Sequence, residues 1–128
     1  MLEILAVQTK DEQKRLCEQC KVVYKPETFS YAAFVDEKLV GVSQFSIKGK
    51  NGYLFDLKGA PETDDADALF IMGRGLLNFL DLAGVHDVWI AKNADIERPL
   101  SARVGFFPDD SGELYINLRG IFTPDHKH

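Results

Sequence analysis

Between residues 31 and 84 the hydrophobic period changes once, near Pro61, and that change limits the fold more than any other feature. Before it the pattern suits short strands. Tyr31-Ala32-Ala33-Phe34-Val35, the run from Leu39 to Ile47, and Tyr53-Leu54-Phe55-Asp56-Leu57 are three of them. Asp36-Glu37-Lys38 forms the first turn. Lys48-Gly49-Lys50-Asn51-Gly52 forms the second, with an Asn-Gly pair that favours a tight hairpin. Residues 31–58 therefore predict a three-stranded antiparallel meander. After Pro61, Leu69, Met72, Leu76, Phe79 and Leu80 recur at spacings of three and four, which marks one face of a helix. Asp64 or Asp65 can cap this helix, and Gly84 closes it. Asp87-Val88-Trp89-Ile90-Ala91 returns to strand. A strand, a crossover helix and a parallel strand within residues 53–91 place the meander in a mixed, mostly antiparallel sheet with helices on both faces.

The flanking segments extend this α/β plan. Residues 2–7 suit a first strand. Thr9-Lys10-Asp11-Glu12 fits a capping box that opens a helix running to about Cys20, with Leu16, Cys17 and Cys20 on one face. Pro26 ends any continuation. A short helix from about Arg98 to Val104 stops at Gly105. Phe106-Phe107 and the run Tyr115-Ile116-Asn117-Leu118 read as final strand pieces, joined by the turn at 108–112. A chain of 128 residues, 45% of them hydrophobic, fits one domain with one core spanning residues 1–128.

Bulk properties narrow the function. No apolar run approaches the ~20 residues of a membrane-crossing helix. The start, Met1-Leu2-Glu3-Ile4-Leu5, lacks the basic region and cleavage site of a secretory signal. With two cysteines, no disulfide framework is expected and a reducing cytoplasm is the natural setting. A formal charge of −5 argues against nucleic-acid or anionic-membrane partners and attracts cationic or amine-bearing ones. Cys17-Glu18-Gln19-Cys20 has the spacing of a redox motif, but such motifs sit at a helix start, and these cysteines lie late on an apolar face. Zinc would need two more ligands. Both cysteines are therefore expected in the core, and no metal site is expected. His86 falls in a surface turn, and His126 and His128 fall in the terminal tail.

Three stretches occur in a telling order: Leu57-Lys58-Gly59-Ala60-Pro61, Met72-Gly73-Arg74-Gly75-Leu76-Leu77-Asn78-Phe79-Leu80, and Leu100-Ser101-Ala102-Arg103-Val104-Gly105-Phe106. Together with the element order over residues 31–120 they resemble the GNAT superfamily of acyl-CoA N-acyltransferases, in a small, divergent bacterial branch. The resemblance implies an N-acetyltransferase that moves an acetyl group from acetyl-CoA to a small-molecule or protein amine. It implies that the donor lies between the fourth and fifth strands. Backbone groups of Leu57, Lys58 and Gly59 would pair with its pantetheine arm. Amides near Met72, Gly73 and Arg74 would hold its pyrophosphate at a helix N-terminus. Asn93 stands one residue from the family's asparagine after the fifth strand. A base would take a proton from the amine, and an acid would protonate the leaving thiolate.

The sequence departs from the family at telling places. The phosphate loop aligns with Ala68-Leu69-Phe70-Ile71-Met72-Gly73, where the last glycine alone survives. The segment from Pro61 to Gly73 is longer by about one helical turn, or four residues. Asp64, Asp65 and Asp67 suit a helix start but repel a pyrophosphate, with Arg74, Lys58 or Lys48 available to offset them. Ser101 stands at the position of the family's acidic tyrosine, with Tyr115 or Tyr53 as substitutes. Phe55 stands where the family has a glutamate base. Asp56 follows it and points to the opposite face unless a β-bulge re-aims it. The candidate catalytic set is thus Asp56, Tyr115 and Ser101, and a non-catalytic binding module is the alternative. Residues 22–30 are too few for a second helix before the meander, which leaves the acceptor side open or closed by a partner chain. An edge strand offers one route to a homodimer.

Overall fold

The computed structural model describes residues 1–122. Its strands are β1 (Leu2–Ala6), β2 (Phe29–Val35), β3 (Lys38–Lys48), β4 (Asn51–Gly59), β5 (Asp87–Asp95), β6 (Phe107–Pro108) and β7 (Leu114–Asn117). Its helices are α1 (Lys10–Gln19), α2 (Ala66–Leu82) and α3 (Arg98–Val104). The strands form one sheet in the order β1-β2-β3-β4-β5-β7-β6. β4 and β5 run parallel, joined by α2, and every other neighbouring pair is antiparallel.

Alternation along the strands divides the core in two. On one face Ala33, Phe45, Leu54, Leu57 and Val88 pack with Met72, Leu76, Leu77 and Leu80 of α2. α3 joins this layer. A Cβ added at Gly73 would come within 3.0 Å of Val104, so the glycine lets the two helices approach. On the other face Ala32 and Val42 pack with Leu16, Cys17 and Cys20. The helices therefore lie on both faces, as the patterning implied, and both cysteines are buried and free. Thr9 accepts a hydrogen bond from the amide of Glu12, which caps α1 as its sequence predicted.

Both hairpin turns are tighter than the sequence suggests. Asp36 and Glu37 alone connect β2 to β3, at φ values of 50° and 71°. Gly49 and Lys50 connect β3 to β4, while Asn51 and Gly52 belong to β4 and pair with Lys48 and Ile47. Gly52 is not a turn residue. A Cβ there would lie 3.2 Å from Leu80, Val85 and Val88, so the position is small because the helix-to-strand corner packs on it. His126 and His128 lie outside the described residues. No helix among the described residues is long and apolar enough to cross a membrane.

Candidate functional site

The site begins with a break in the register of β4. On its β3 side Leu54 pairs with Phe45, but Asp56 pairs with Gln44, so Phe55 is an extra residue in the strand. This β-bulge leaves Leu54 and Leu57 on the α2 face and turns Asp56 to the α1 face. On the β5 side the pairing runs from Asn51/Asp87 to Leu54/Ile90 and resumes at Asp56/Asp95. Residues 91–94 of β5 thus stand opposite Phe55 alone and arch away from β4. Beyond Asp56 no residue of β5 pairs with β4, whereas Leu57, Lys58 and Gly59 still pair with Ser43, Val42 and Gly41 of β3. The β5-facing backbone edge of Leu57–Gly59 is therefore free.

A cavity of about 300 Å³ opens at that edge, lined by Leu57–Gly59, the β4–α2 loop, Glu97 and Leu100. Its charge is negative: Glu62, Asp64, Asp65 and Glu97 line it, and Lys58 is the one cation on its wall. Lys58 donates to both carboxylate oxygens of Asp95, at 3.1 and 3.0 Å, and so straps β4 to β5. α2 begins at Ala66 beside this cavity. The Asp65 carboxylate caps it by accepting from the Ala68 amide at 3.0 Å, which leaves the Ala66 and Asp67 amides without intrahelical acceptors. Asp67 pairs with Arg103 at 2.8 Å.

Behind the bulge, on the α1 face, lies a buried polar network. Asp56 is 1% exposed. Its Oδ2 accepts from Lys25 Nζ at 2.8 Å and from Gln44 Nε2 at 2.7 Å. Gln44 Oε1 in turn accepts from Gln13 Nε2 and from the Lys25 amide, both at 2.9 Å. Gln13 also donates to Thr28 Oγ1 at 2.9 Å. The network ties α1 and the segment before β2 to the centre of the sheet. Sequence reading missed Lys25, Gln13 and Gln44. The available signal was a glutamine in the middle of a long, mostly apolar strand, which requires a buried partner.

No protein-family model matches the chain, and no curated protein does. Solved structures do. An N-acetyltransferase (PaiA) from Thermoplasma acidophilum, determined with coenzyme A, superimposes with a TM-score of 0.67 at 12% identity over 91% of this chain and 97% of its own. A GNAT family acetyltransferase from Brucella melitensis, determined with acetyl-CoA, gives 0.66 at 17% identity over 97% and 90%. The ribosomal-protein-S18-alanine N-acetyltransferase of Escherichia coli gives 0.64 at 14% identity over 90% and 89%. The chain has the GNAT fold.

Within that fold the candidate residues fall in separate places. Leu57, Lys58 and Gly59 line the cavity. Met72, Gly73 and Arg74 do not reach it with their amides. α2 starts six residues before Met72, so these amides lie in its second and third turns and are consumed within the helix. The free donors are those of Ala66 and Asp67 instead. Met72 and Gly73 are buried, and the Arg74 guanidinium donates to the Val104 carbonyl at 3.2 Å while lying over Phe122. Asn93 is exposed on the arch of β5.

The three catalytic candidates are not gathered together. Ser101 is on α3, against the opposite face from Asp56, and is 2% exposed with its hydroxyl donating to the Arg98 carbonyl at 2.8 Å. The Tyr115 phenol donates to Asp87 Oδ1 at 2.6 Å. Asp87 opens β5 opposite Asn51, so that hydroxyl sits about 17 Å along the sheet from the level of Asp56. Its hydrogen bond to Asp87 raises the phenol above the usual tyrosine range. Asp56 alone of the three adjoins the bulge. The cysteines are chemically quiet: burial pushes Cys17 up to about 12 and Cys20 up to about 11. Among the described residues no three His, Cys, Asp or Glu side chains gather as a metal site.

Proposed function

We propose that the protein is an acetyl-CoA-dependent N-acetyltransferase acting on an amine. The observation that carries this reading is the free backbone edge of Leu57–Gly59, held open where β4 and β5 part beside a cavity. An acyl-pantetheine arm is an extended chain with amide donors and acceptors, and such an edge can take it as an added strand. Bound acetyl-CoA would supply an activated thioester. In the transfer, the acceptor nitrogen forms a bond to the acyl carbon, the carbon–sulfur bond breaks, and the thiolate leaves. Asp56 takes the proton released by the amine on Oδ1, while Lys25 and Gln44 stay on Oδ2. Lys58 is the residue to meet the diphosphate, after exchanging Asp95 for it. Two free, buried thiols suit a reducing cytoplasm, where acetyl-CoA is at hand.

The diphosphate half of the site fits less well, and this supports a second reading. Asp64 and Asp65 precede α2 and Asp67 lies in its first turn, where the family places a glycine-rich loop, and the Asp65 carboxylate already fills the capping position. On that reading the fold serves as a binding module without turnover. Thermal denaturation with CoA, with acetyl-CoA and without ligand decides between them. A ligand present at ~100 times its Kd adds about 2.7 kcal/mol of stability. Stabilisation, followed by acetyl-CoA-dependent thiol release with an amine panel that disappears in Asp56→Asn, is the expected result. Stabilisation without thiol release from any amine would establish the binding module. No stabilisation at millimolar ligand would remove CoA from the function.

A further inference from the structure

On the α1 face of the sheet, beyond the reach of α1, four aromatic side chains stand in one row. Tyr53 of β4 pairs with Trp89 of β5, Trp89 pairs with Tyr115 of β7, and Tyr115 pairs with Phe107 of β6. Directly paired residues share a face, so the register alone sets the row. The Tyr53 and Trp89 rings stack with centroids 6.1 Å apart and the Trp89 and Tyr115 rings with centroids 4.9 Å apart. Three strand spacings make the row about 14 Å long. α1 packs over Ala32 and Val42, on β2 and β3, and among the described residues no helix covers the row. Phe107 is 60% exposed.

Two carboxylates are fixed along this row. Asp109 Oδ2 accepts from Trp89 Nε1 at 3.1 Å, and its Oδ1 accepts from the Ser111 hydroxyl and the amides of Ser111 and Glu113. Asp87 Oδ1 accepts from Tyr115 and from Asn117 Nδ2, and among the described residues Oδ2 has no hydrogen-bond partner. These hydrogen bonds hold both acids in their charged form, Asp109 down to about 2 with the Ser111 side chain the largest cause. Arg119 is the cation near Asp87, and the His86 imidazole lies close by.

The geometry points to this row as a docking surface for an extended polypeptide segment bearing Lys or Arg side chains. The exposed Phe107 ring, outside the ring-to-ring contacts of the other three, attracts cations, the two anions fix their charge, and the flat length of the row matches about four extended residues. A small amine would require a concave pocket, and the five best-formed cavities among the described residues are lined by neither Tyr53, Trp89 nor Tyr115. A second copy of this chain is disfavoured, because both copies carry a net charge of −5 and would bring the same anions together. This inference goes beyond acyl transfer: docking on the row needs neither CoA nor turnover.

Trp89 is the one tryptophan of the chain, so its fluorescence reports on the row directly. The probe is an octapeptide of alternating Arg and Gly, titrated at low salt beside a Glu-Gly octapeptide and butylamine. We expect a saturable change with the Arg-Gly peptide, none with Glu-Gly, and only weak binding of butylamine. Phe107→Ser should weaken the Arg-Gly peptide about tenfold, as loss of an aromatic anchor does. Phe107→Leu should weaken it less, and circular dichroism of both variants checks the fold. Absence of a saturable change at millimolar peptide would overturn the inference. So would an equal response to Glu-Gly, butylamine binding as tightly as the peptide, or unchanged affinity in folded Phe107→Ser. A peptide-free, concentration-dependent change accompanied by dimers in sedimentation would assign the row to self-association instead.

Discussion

Two lysine–carboxylate pairs anchor β4 two residues apart, and they have opposite characters. Lys25 and Asp56 meet at 2.8 Å, with side chains 24% and 1% exposed. Lys58 and Asp95 meet at 3.0 Å, with side chains 37% and 43% exposed. The first pair has its carboxylate out of water, and Gln44 supplies a second donor to the same oxygen. Breaking it strands charged and polar groups where solvent reaches them poorly. The second pair is in contact with water, which replaces either partner at little cost. One strand thus carries a fixed joint on its α1 side and an openable strap at its β5 edge. A site that must hold its shape while admitting a ligand needs both.

The largest test of this contrast is Asp56→Ala. It leaves Lys25 and the Gln44 amide without their acceptor and should cost about 3 kcal/mol of stability, read from the urea midpoint. Gln44→Ala removes the hub but leaves the ion pair, and should cost about 2 kcal/mol through the unpaired Lys25 amide and the donor lost to Asp56. A loss below about 0.5 kcal/mol in either variant, the range of an ordinary surface substitution, would mean that the two pairs are energetically alike and the contrast fails. The next effect is smaller. Asp65→Ala removes the cap of α2 and should cost about 1 kcal/mol. It also takes one negative charge from the cavity and frees the Ala68 amide. If acidity at this helix start is what weakens phosphate binding, this less stable variant gains a larger thermal shift from CoA than the parent.

Much of this architecture can be read from the chain, and the exceptions share one cause. The apolar runs and the Thr9 and Asp65 caps placed the helices, because those signals are local. The parallel β4–β5 pair followed from a helix that needed to cross the sheet. Asn51-Gly52 misled because a glycine demanded by packing against Leu80, Val85 and Val88 looks the same in sequence as one demanded by a turn. At the site, Leu57–Gly59 were named from the resemblance, and they line the cavity. The amides of Met72, Gly73 and Arg74 do not reach it, since the length of the insertion after Pro61 decides which amides are free, and the helix uses it to start early. The partners Lys25–Asp56 and Lys58–Asp95 are 31 and 37 residues apart, and their pairing depends on a bulge and an arch that no local pattern records.

The smallest effect on stability probes the strap. Asp95→Ala should cost no more than about 0.5 kcal/mol, because both side chains are already solvated. Its consequence for ligand binding is larger and has a definite sign. In the parent, a diphosphate competes with Asp95 for Lys58, so part of the attraction between lysine and phosphate is lost to releasing the carboxylate. With Asp95 gone, Lys58 is free at the cavity wall, and the thermal shift produced by CoA should increase. Lys58→Ala should leave the protein equally stable yet lower the CoA response below that of the parent. A CoA response that is the same in all three proteins would show that Lys58 does not meet the phosphates and that the strap merely joins two strands. Opposite responses to loss of the anion and loss of the cation, in proteins of equal stability, would identify the Lys58–Asp95 pair as the element that ligand entry opens.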